Sequence, residues 1–313
     1  MAMYSEFSYK STNGETDIHV NKWTPEGEPI GILQIVHGVA EYGFRYDKFA
    51  RFMAGKGFVV YADDHLGHGS SIIKDSPRLY FGEENGWFTV VSDLKKLTDI
   101  AKSENNCLPF IIFGHSMGSF LTRSYLIKYP NATDGAIICG TGHMPKLTIL
   151  GGKIIANYYI KKLGKKGYSK LADDLAFGAY NKKFAPNRTP SDWVSLSEEN
   201  VDSYLADQLC GGKTSLGLFS DLIVGMDFIT SQKNINKMNK ETPILFVSGE
   251  EDPVGDMGKG VKKAVSCFEK AGVKNVSLIL YPKLRHEILN EECGENIMKD
   301  IYNWICSNIF IEN

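Results

Sequence analysis

Six short runs of aliphatic and β-branched residues, each followed by a longer stretch with apolar residues three and four apart, set the tightest limit on how this chain can fold. The runs are "GILQIVHG" (31–38), "FVVYADD" (58–64), "PFIIFGH" (109–115), "GAIICGT" (135–141), "PILFVSG" (243–249) and "VSLILYP" (276–282). Runs of this length, almost wholly apolar, are expected for strands buried on both faces. The stretches 46–57, 88–104, 119–130, 259–272 and 295–308 carry the 3.6-residue period of amphipathic helices. Strand and helix in alternation predict an α/β fold with a mostly parallel sheet covered by helices on both sides. Two earlier alternating stretches, "SEFSYKS" (5–11) and "DIHVNKW" (17–23), predict an antiparallel pair at one edge.

From 142 to 235 the alternation stops and helical patterns follow one another: "ILGGKIIANYYIKKLG", "LADDLAFGAYNKKF", "ENVDSYLADQLCGG" and "SLGLFSDLIVGMDFIT". An all-helical insertion between two strands of a parallel sheet reads as a cap, so the expected organisation is a core of 1–141 and 236–313 with a helical cap at 142–235. A net charge of −2, with 23% charged and 43% hydrophobic residues, supplies no whole-chain attraction to nucleic acid. No apolar stretch reaches the length of a membrane span. The first residues lack the basic start and apolar centre of a signal peptide, so the mature chain is expected to begin near Met1. Six scattered cysteines without a C-x-x-C pair predict reduced thiols and a cytoplasmic setting.

The third run leads through "FGHSMG" (113–118) directly into a helical pattern. A strand can turn so sharply into a helix that one side chain stands above the carboxyl edge of the sheet. The residues two before and two after it must then be small, and Gly114 and Gly118 hold those places around Ser116. A serine hydroxyl is a weak nucleophile near neutral pH and needs a base oriented by a carboxylate. On this topology the partners follow in the order acid, then histidine, at the ends of later strands. "EEDPV" after the fifth run offers Asp252, with Glu250, Glu251 and Asp256 as competing acids; Pro253, fixing the turn, favours Asp252. "KLRHE" after the sixth offers His286 as general base. Backbone N–H donors for an oxyanion are expected from Met117, next to the serine, and from Val39 in "IVHGVAEYG".

Taken together, "HGVAEYGFRY", "ADDHLGHGSS", "GHSMGS", "GEEDPVG" and "YPKLRHEILNE", spread over about residues 15–305, resemble the serine α/β-hydrolases of the monoacylglycerol lipase and lysophospholipase group. The resemblance implies an α/β-hydrolase fold, Ser116, Asp252 and His286 as catalytic triad, and Val39 and Met117 as oxyanion donors. It implies hydrolysis of carboxylic esters with an apolar acyl chain through an acyl-serine. Carboxylesterase or amide/peptide hydrolase activity on small substrates, and ligand binding without catalysis, stand as alternatives.

No cofactor or metal is expected. Neither a phosphate-binding loop nor a dinucleotide fingerprint is present, and His65 and His68 lack further ligands nearby. His65 and His68 read as a loop packed beside the site, His37 and His115 as scaffolding. In the cap, Phe177, Tyr180, Phe184, Trp193, Leu216, Phe219, Leu222, Ile223 and Phe228 are candidates to line an acyl tunnel; Phe177, Trp193, Phe219, Leu222 and Ile223 are the chosen set. Residues 150–170 hold six lysines and no acid among apolar residues. Transient contact of this segment with a membrane surface stands beside the plainer reading, an ordinary solvated lysine face. The expected partner is a small-molecule ester, not nucleic acid.

Overall fold

The computed structural model describes residues 2–310. Met1, where the mature chain is expected to begin, lies outside them. Eight strands form one sheet: β1 (Met3–Lys10), β2 (Asp17–Thr24), β3 (Gly31–Val36), β4 (Phe58–Asp63), β5 (Phe110–His115), β6 (Gly135–Cys139), β7 (Ile244–Gly249) and β8 (Val276–Tyr281). Their spatial order is β1, β2, β4, β3, β5, β6, β7, β8. β1 pairs antiparallel with β2 and β2 with β4, while every other neighbouring pair is parallel. The antiparallel edge thus falls on the two alternating N-terminal stretches.

Helices α1 (Asp47–Ala54), α2 (Gly86–Glu104) and α3 (Met117–Lys128) cross between the early strands. Five more, α4 (Lys146–Leu163), α5 (Lys170–Ala176), α6 (Glu198–Ala206), α7 (Leu216–Thr230) and α8 (Gln232–Ile235), lie between β6 and β7. α9 (Lys259–Lys270) and α10 (Gly294–Ile309) complete the chain. Successive strand residues alternate between two cores. Leu33, Ile35, Ile111, Phe113, Leu245 and Val247 meet α1 and α10 on one face. Ile32, Phe110, Ile112, Ile138 and Phe246 meet α2, α3 and α9 on the other. Both faces being covered is why β3, β4, β5, β6 and β7 read as unbroken apolar runs rather than alternating ones. β8, expected to be buried in the same way, lies at the sheet edge and is half-buried along its whole length.

The helical segment between β6 and β7 is seated on α2 and α3 through α7. Phe228 packs edge-on against Phe88 with ring centroids 5.1 Å apart. Gly225 lies so close to the Trp87 ring that a methyl group there would overlap it. The fully buried Arg123 of α3 donates to Gly142 O at 2.7 Å, where the segment begins, and to Ile229 O at 3.2 Å, near the end of α7. One guanidinium therefore fastens both ends of the segment to the core, above the carboxyl ends of β3, β5, β6 and β7. No helix among the described residues is long and apolar enough to cross a membrane. All six cysteines are free thiols, with Cys139, Cys210 and Cys267 buried.

Candidate active site

β5 delivers Ser116 in a conformation few residues adopt. Its φ is 55° and its ψ −122°, a left-handed value that costs a non-glycine residue roughly 1–3 kcal/mol. Hydrogen bonds on both sides hold it there: Ser116 N donates to Cys139 O on β6 at 3.0 Å, and Ser116 O accepts from Ser119 N at 2.9 Å and Ser119 Oγ at 2.6 Å. Because one residue completes the turn, α3 starts at Met117, two residues before the helical pattern begins in the sequence. A Cβ on Gly118 would press into the Val36 carbonyl oxygen, and one on Gly114 into Gly118 O and Thr122 Oγ1. The flanking glycines thus answer to close approach of backbone to backbone.

Asp252 and His286 come from the loops after β7 and β8. His286 Nδ1 donates to Asp252 Oδ2 at 2.9 Å, and Asp252 is fully buried. The carboxylate also accepts from Val254 N at 2.9 Å and Ser248 Oγ at 3.3 Å. Glu250 and Asp256 are exposed and Glu251 half-buried; none of the three bonds to His286 among the described residues. Ser116 is brought beside this pair by β6: Gly140 follows the carbonyl that holds Ser116 N, and His286 Cε1 lies 3.1 Å from where a Cβ on Gly140 would sit. No hydrogen bond joins Ser116 to His286 in this conformation.

Ser116, Val39 and Met117 open into a cavity of about 470 Å³ between the sheet edge and the helical segment. Phe177, Trp193, Phe219, Leu222 and Ile223 all line it, and so does Tyr180. Trp193 also packs on His286, ring centroids 5.1 Å apart. Three further candidates lie elsewhere. Phe184 stacks under Arg285 in a separate polar groove, Leu216 is fully buried, and Phe228 belongs to the joint with α2. Among the described residues no Asp, Glu, Lys or Arg lines the cavity. The backbone N–H groups of Val39 and Met117 donate to no other group among the described residues.

Beneath the site lies a charged cluster that the sequence reading missed. Arg45 binds Glu287 through two bonds of 2.7 and 3.0 Å and Glu41 through one of 3.0 Å. Glu287 also accepts from Asn200 at 2.8 Å and Asn290 at 2.9 Å. Tyr46 donates to Glu41 at 2.8 Å and takes a bond of 2.8 Å from His115 Nδ1, while His115 Nε2 faces His286 O at 3.2 Å. Both His115 nitrogens then act as donors, which the imidazolium supplies. Burial alone would disfavour that cation, but the bond to Glu41 and the charges of Glu41 and Glu287 raise His115 above its ordinary value. Against their own burial, Glu41 is held well below the usual carboxylate range by His115 and Arg45, and Glu287 below it by Arg45. Glu41 and Arg45, four residues apart in "AEYGFRY", were a local signal; Glu287, 242 residues from Arg45, had none.

His65 and His68 are buried, and His65 stacks on His37 with centroids 3.7 Å apart. Among the described residues no group of three or more His, Cys, Asp or Glu is arranged to hold a metal.

The family described as "Serine aminopeptidase, S33" (Hydrolase_4) matches residues 27–293. The monoacylglycerol lipase of Mycolicibacterium smegmatis is 28% identical, over 97% of this chain and 98% of its own. A thermostable carboxyl esterase from Bacillus coagulans, solved in complex with glycerol, superposes with a TM-score of 0.91 at 28% identity, covering 99% of each chain. A lipase in open form superposes at 0.89 with 26% identity, covering 99% of this chain and 100% of that one.

Proposed function

The chain belongs to the Hydrolase_4 family, described as Serine aminopeptidase, S33, with monoacylglycerol lipase and esterase relatives, and on that premise we propose that it is a serine hydrolase of carboxylic esters bearing an apolar acyl chain. In this reading Ser116 Oγ attacks the ester carbonyl carbon while its proton passes to His286 Nε2. Asp252 orients the imidazole and stabilises its cation. The carbonyl oxygen, now an anion, takes hydrogen bonds from Val39 N–H and Met117 N–H. The bond from carbon to the alcohol oxygen then breaks, and His286 returns the proton to the leaving alcohol. Water, deprotonated by His286, cleaves the acyl-serine and restores Ser116. Apo hydrogen bonds between nucleophile and base are often long and tighten on substrate binding, so the present separation of Ser116 and His286 is compatible with the scheme.

The observation that carries the substrate class is the cavity wall. An aminopeptidase must pair the α-ammonium of its substrate, and no carboxylate among the described residues lines this cavity, whereas an acyl chain needs only apolar surface. The family description favours the amide reading, and the wall favours esters of monoacylglycerol or lysophospholipid type. We assign residues 142–235 as a cap over a core of 1–141 and 236–313. The outer row of α4, with Leu147 83%, Leu150 56%, Ile154 62% and Tyr158 52% exposed, is the part of that cap suited to a lipid surface.

The test is labelling by a fluorophosphonate together with turnover of an ester panel of graded chain length, alongside aminoacyl amides. Ser116 should be the labelled residue, and Ser116→Ala should lower turnover about 10³-fold or more. Near-normal turnover in that variant removes Ser116 as nucleophile. Preference for aminoacyl amides over lipid esters removes the substrate class.

A further inference from the structure

Resting on the reading of Ser116 as nucleophile, we propose that His37 is a positioning residue for the oxyanion: by holding the Gly38 carbonyl it aims the Val39 N–H into the cavity beside Ser116. The Gly38 carbonyl and the Val39 N–H belong to one peptide unit. That unit is trans, so its oxygen and hydrogen point in opposite directions. His37 Nδ1 lies 2.7 Å from Gly38 O, and Val39 lines the cavity with Ser116 and Met117. Whatever fixes the oxygen therefore fixes the donor.

The ring's tautomer follows from its other nitrogen. His65 N–H donates to His37 Nε2 at 2.9 Å, so Nε2 accepts and Nδ1 carries the proton that Gly38 O receives. His37 is fully buried, and burial, aided by the neighbouring His65, pushes its pKa down to about 4, which keeps this neutral form through the neutral range. The preceding peptide is pinned at both ends as well: His65 Nε2 faces His37 O at 3.1 Å, and Gly38 N donates to Glu41. Of the four polar groups on the two peptides around Gly38, only the Val39 N–H is left without a protein partner among the described residues.

Two substitutions separate positioning from packing. His37→Asn keeps an amide donor near the place of Nδ1, and His37→Gln keeps an acceptor near the place of Nε2 while losing the hold on Gly38. His37→Gln is expected to lower kcat about 10²-fold with KM little changed, the loss found when one oxyanion donor is removed. Affinity for a trifluoromethyl ketone, which forms a tetrahedral oxyanion, should fall by the same factor. His37→Asn should stay within about tenfold of the parent. A His37→Gln enzyme within about threefold of the parent overturns the proposal, as do equal losses in both variants with equal drops in Tm. In the unsubstituted protein, ¹⁵N NMR of the imidazole should find Nδ1 protonated and Nε2 bare from pH 6 to 9; a protonated Nε2 also overturns it. If the unsubstituted enzyme resists fluorophosphonate at Ser116, the nucleophile reading fails. A labelled parent with an unaffected His37→Gln removes the positioning role alone.

Discussion

Replacing Arg45 by Met tests whether the buried cluster is a balanced set of charges. The Arg45, Glu41 and Glu287 side chains are 10, 5 and 7% exposed, and Arg45 supplies three of the charge-assisted bonds on the two carboxylates. With His115 protonated the cluster holds two anions and two cations, and Arg45→Met leaves one anion buried without a counter-charge. Breaking a buried ion pair from one side costs about 3–5 kcal/mol. At about 2.1 cal/mol/K of unfolding entropy per residue, a chain of 313 residues should lose about 5–8 °C in Tm. The effect has a pH signature. Carboxylates held below their unfolded values contribute stability that is present above those values and lost as pH falls through the folded ones. Without Arg45, burial raises one of them, so the variant's deficit should be largest near pH 8 and shrink toward pH 5, where that carboxyl takes a proton. Calorimetry at one scan rate and both pH values gives the comparison. Arg45→Met combined with Glu287→Gln should recover more than half of the loss at pH 8. A deficit below about 1 kcal/mol at pH 8, or a double variant no better than the single one, refutes the balanced-cluster reasoning.

The depressed His37 pKa, about 4, means that between roughly pH 6.5 and 4 only the unfolded chain carries that proton. Its contribution is full above about pH 6.5 and is lost as pH falls toward 4, about 3 kcal/mol over the window. His115, held above its ordinary value, acts in the opposite sense, contributing fully below the unfolded value and declining as pH rises through the folded one. Urea unfolding of His37→Gln should show a shallower decline from pH 6.5 to 4.5 than the parent, and identical slopes would exclude the assignment. On α4, Ile154→Glu should weaken co-sedimentation with anionic phosphatidylcholine/phosphatidylglycerol vesicles roughly tenfold, the order expected when one large aliphatic side chain leaves a lipid surface. Hydrolysis of a soluble short-chain ester should be unchanged, and undiminished sedimentation would dismiss α4 as a lipid contact.

Much of this molecule was legible along the chain because the physics involved is local. Strands such as β5 and β7 are covered on both faces, and that leaves an apolar run visible in a window of six residues. The turn at Ser116 needs missing side chains at Gly114 and Gly118, again a local requirement. The order of Ser116, Asp252 and His286 could be read because each follows one of those runs. Choosing among four neighbouring acids could not be settled so firmly, since only the packing of two loops 34 residues apart brings Asp252, and not Glu250, Glu251 or Asp256, to His286 Nδ1.

Apolar residues in the helical segment carried the same ambiguity. Phe177 and Trp193 line the cavity while Phe184, Leu216 and Phe228 do not, because an aromatic or aliphatic residue is compatible with any apolar environment and its direction is set by neighbours far away in sequence. The charged cluster is the extreme case: its Arg45–Glu287 contact exists only once the loop after β3 meets the loop after β8. Sequence alone determined which segments are buried and where a sharp turn is sterically allowed. Tertiary structure alone decided which polar groups lose water together, and hence the raised pKa of His115 and the partner that His37 Nδ1 finds in Gly38 O, since desolvation and pairing depend on neighbours that chain order does not specify.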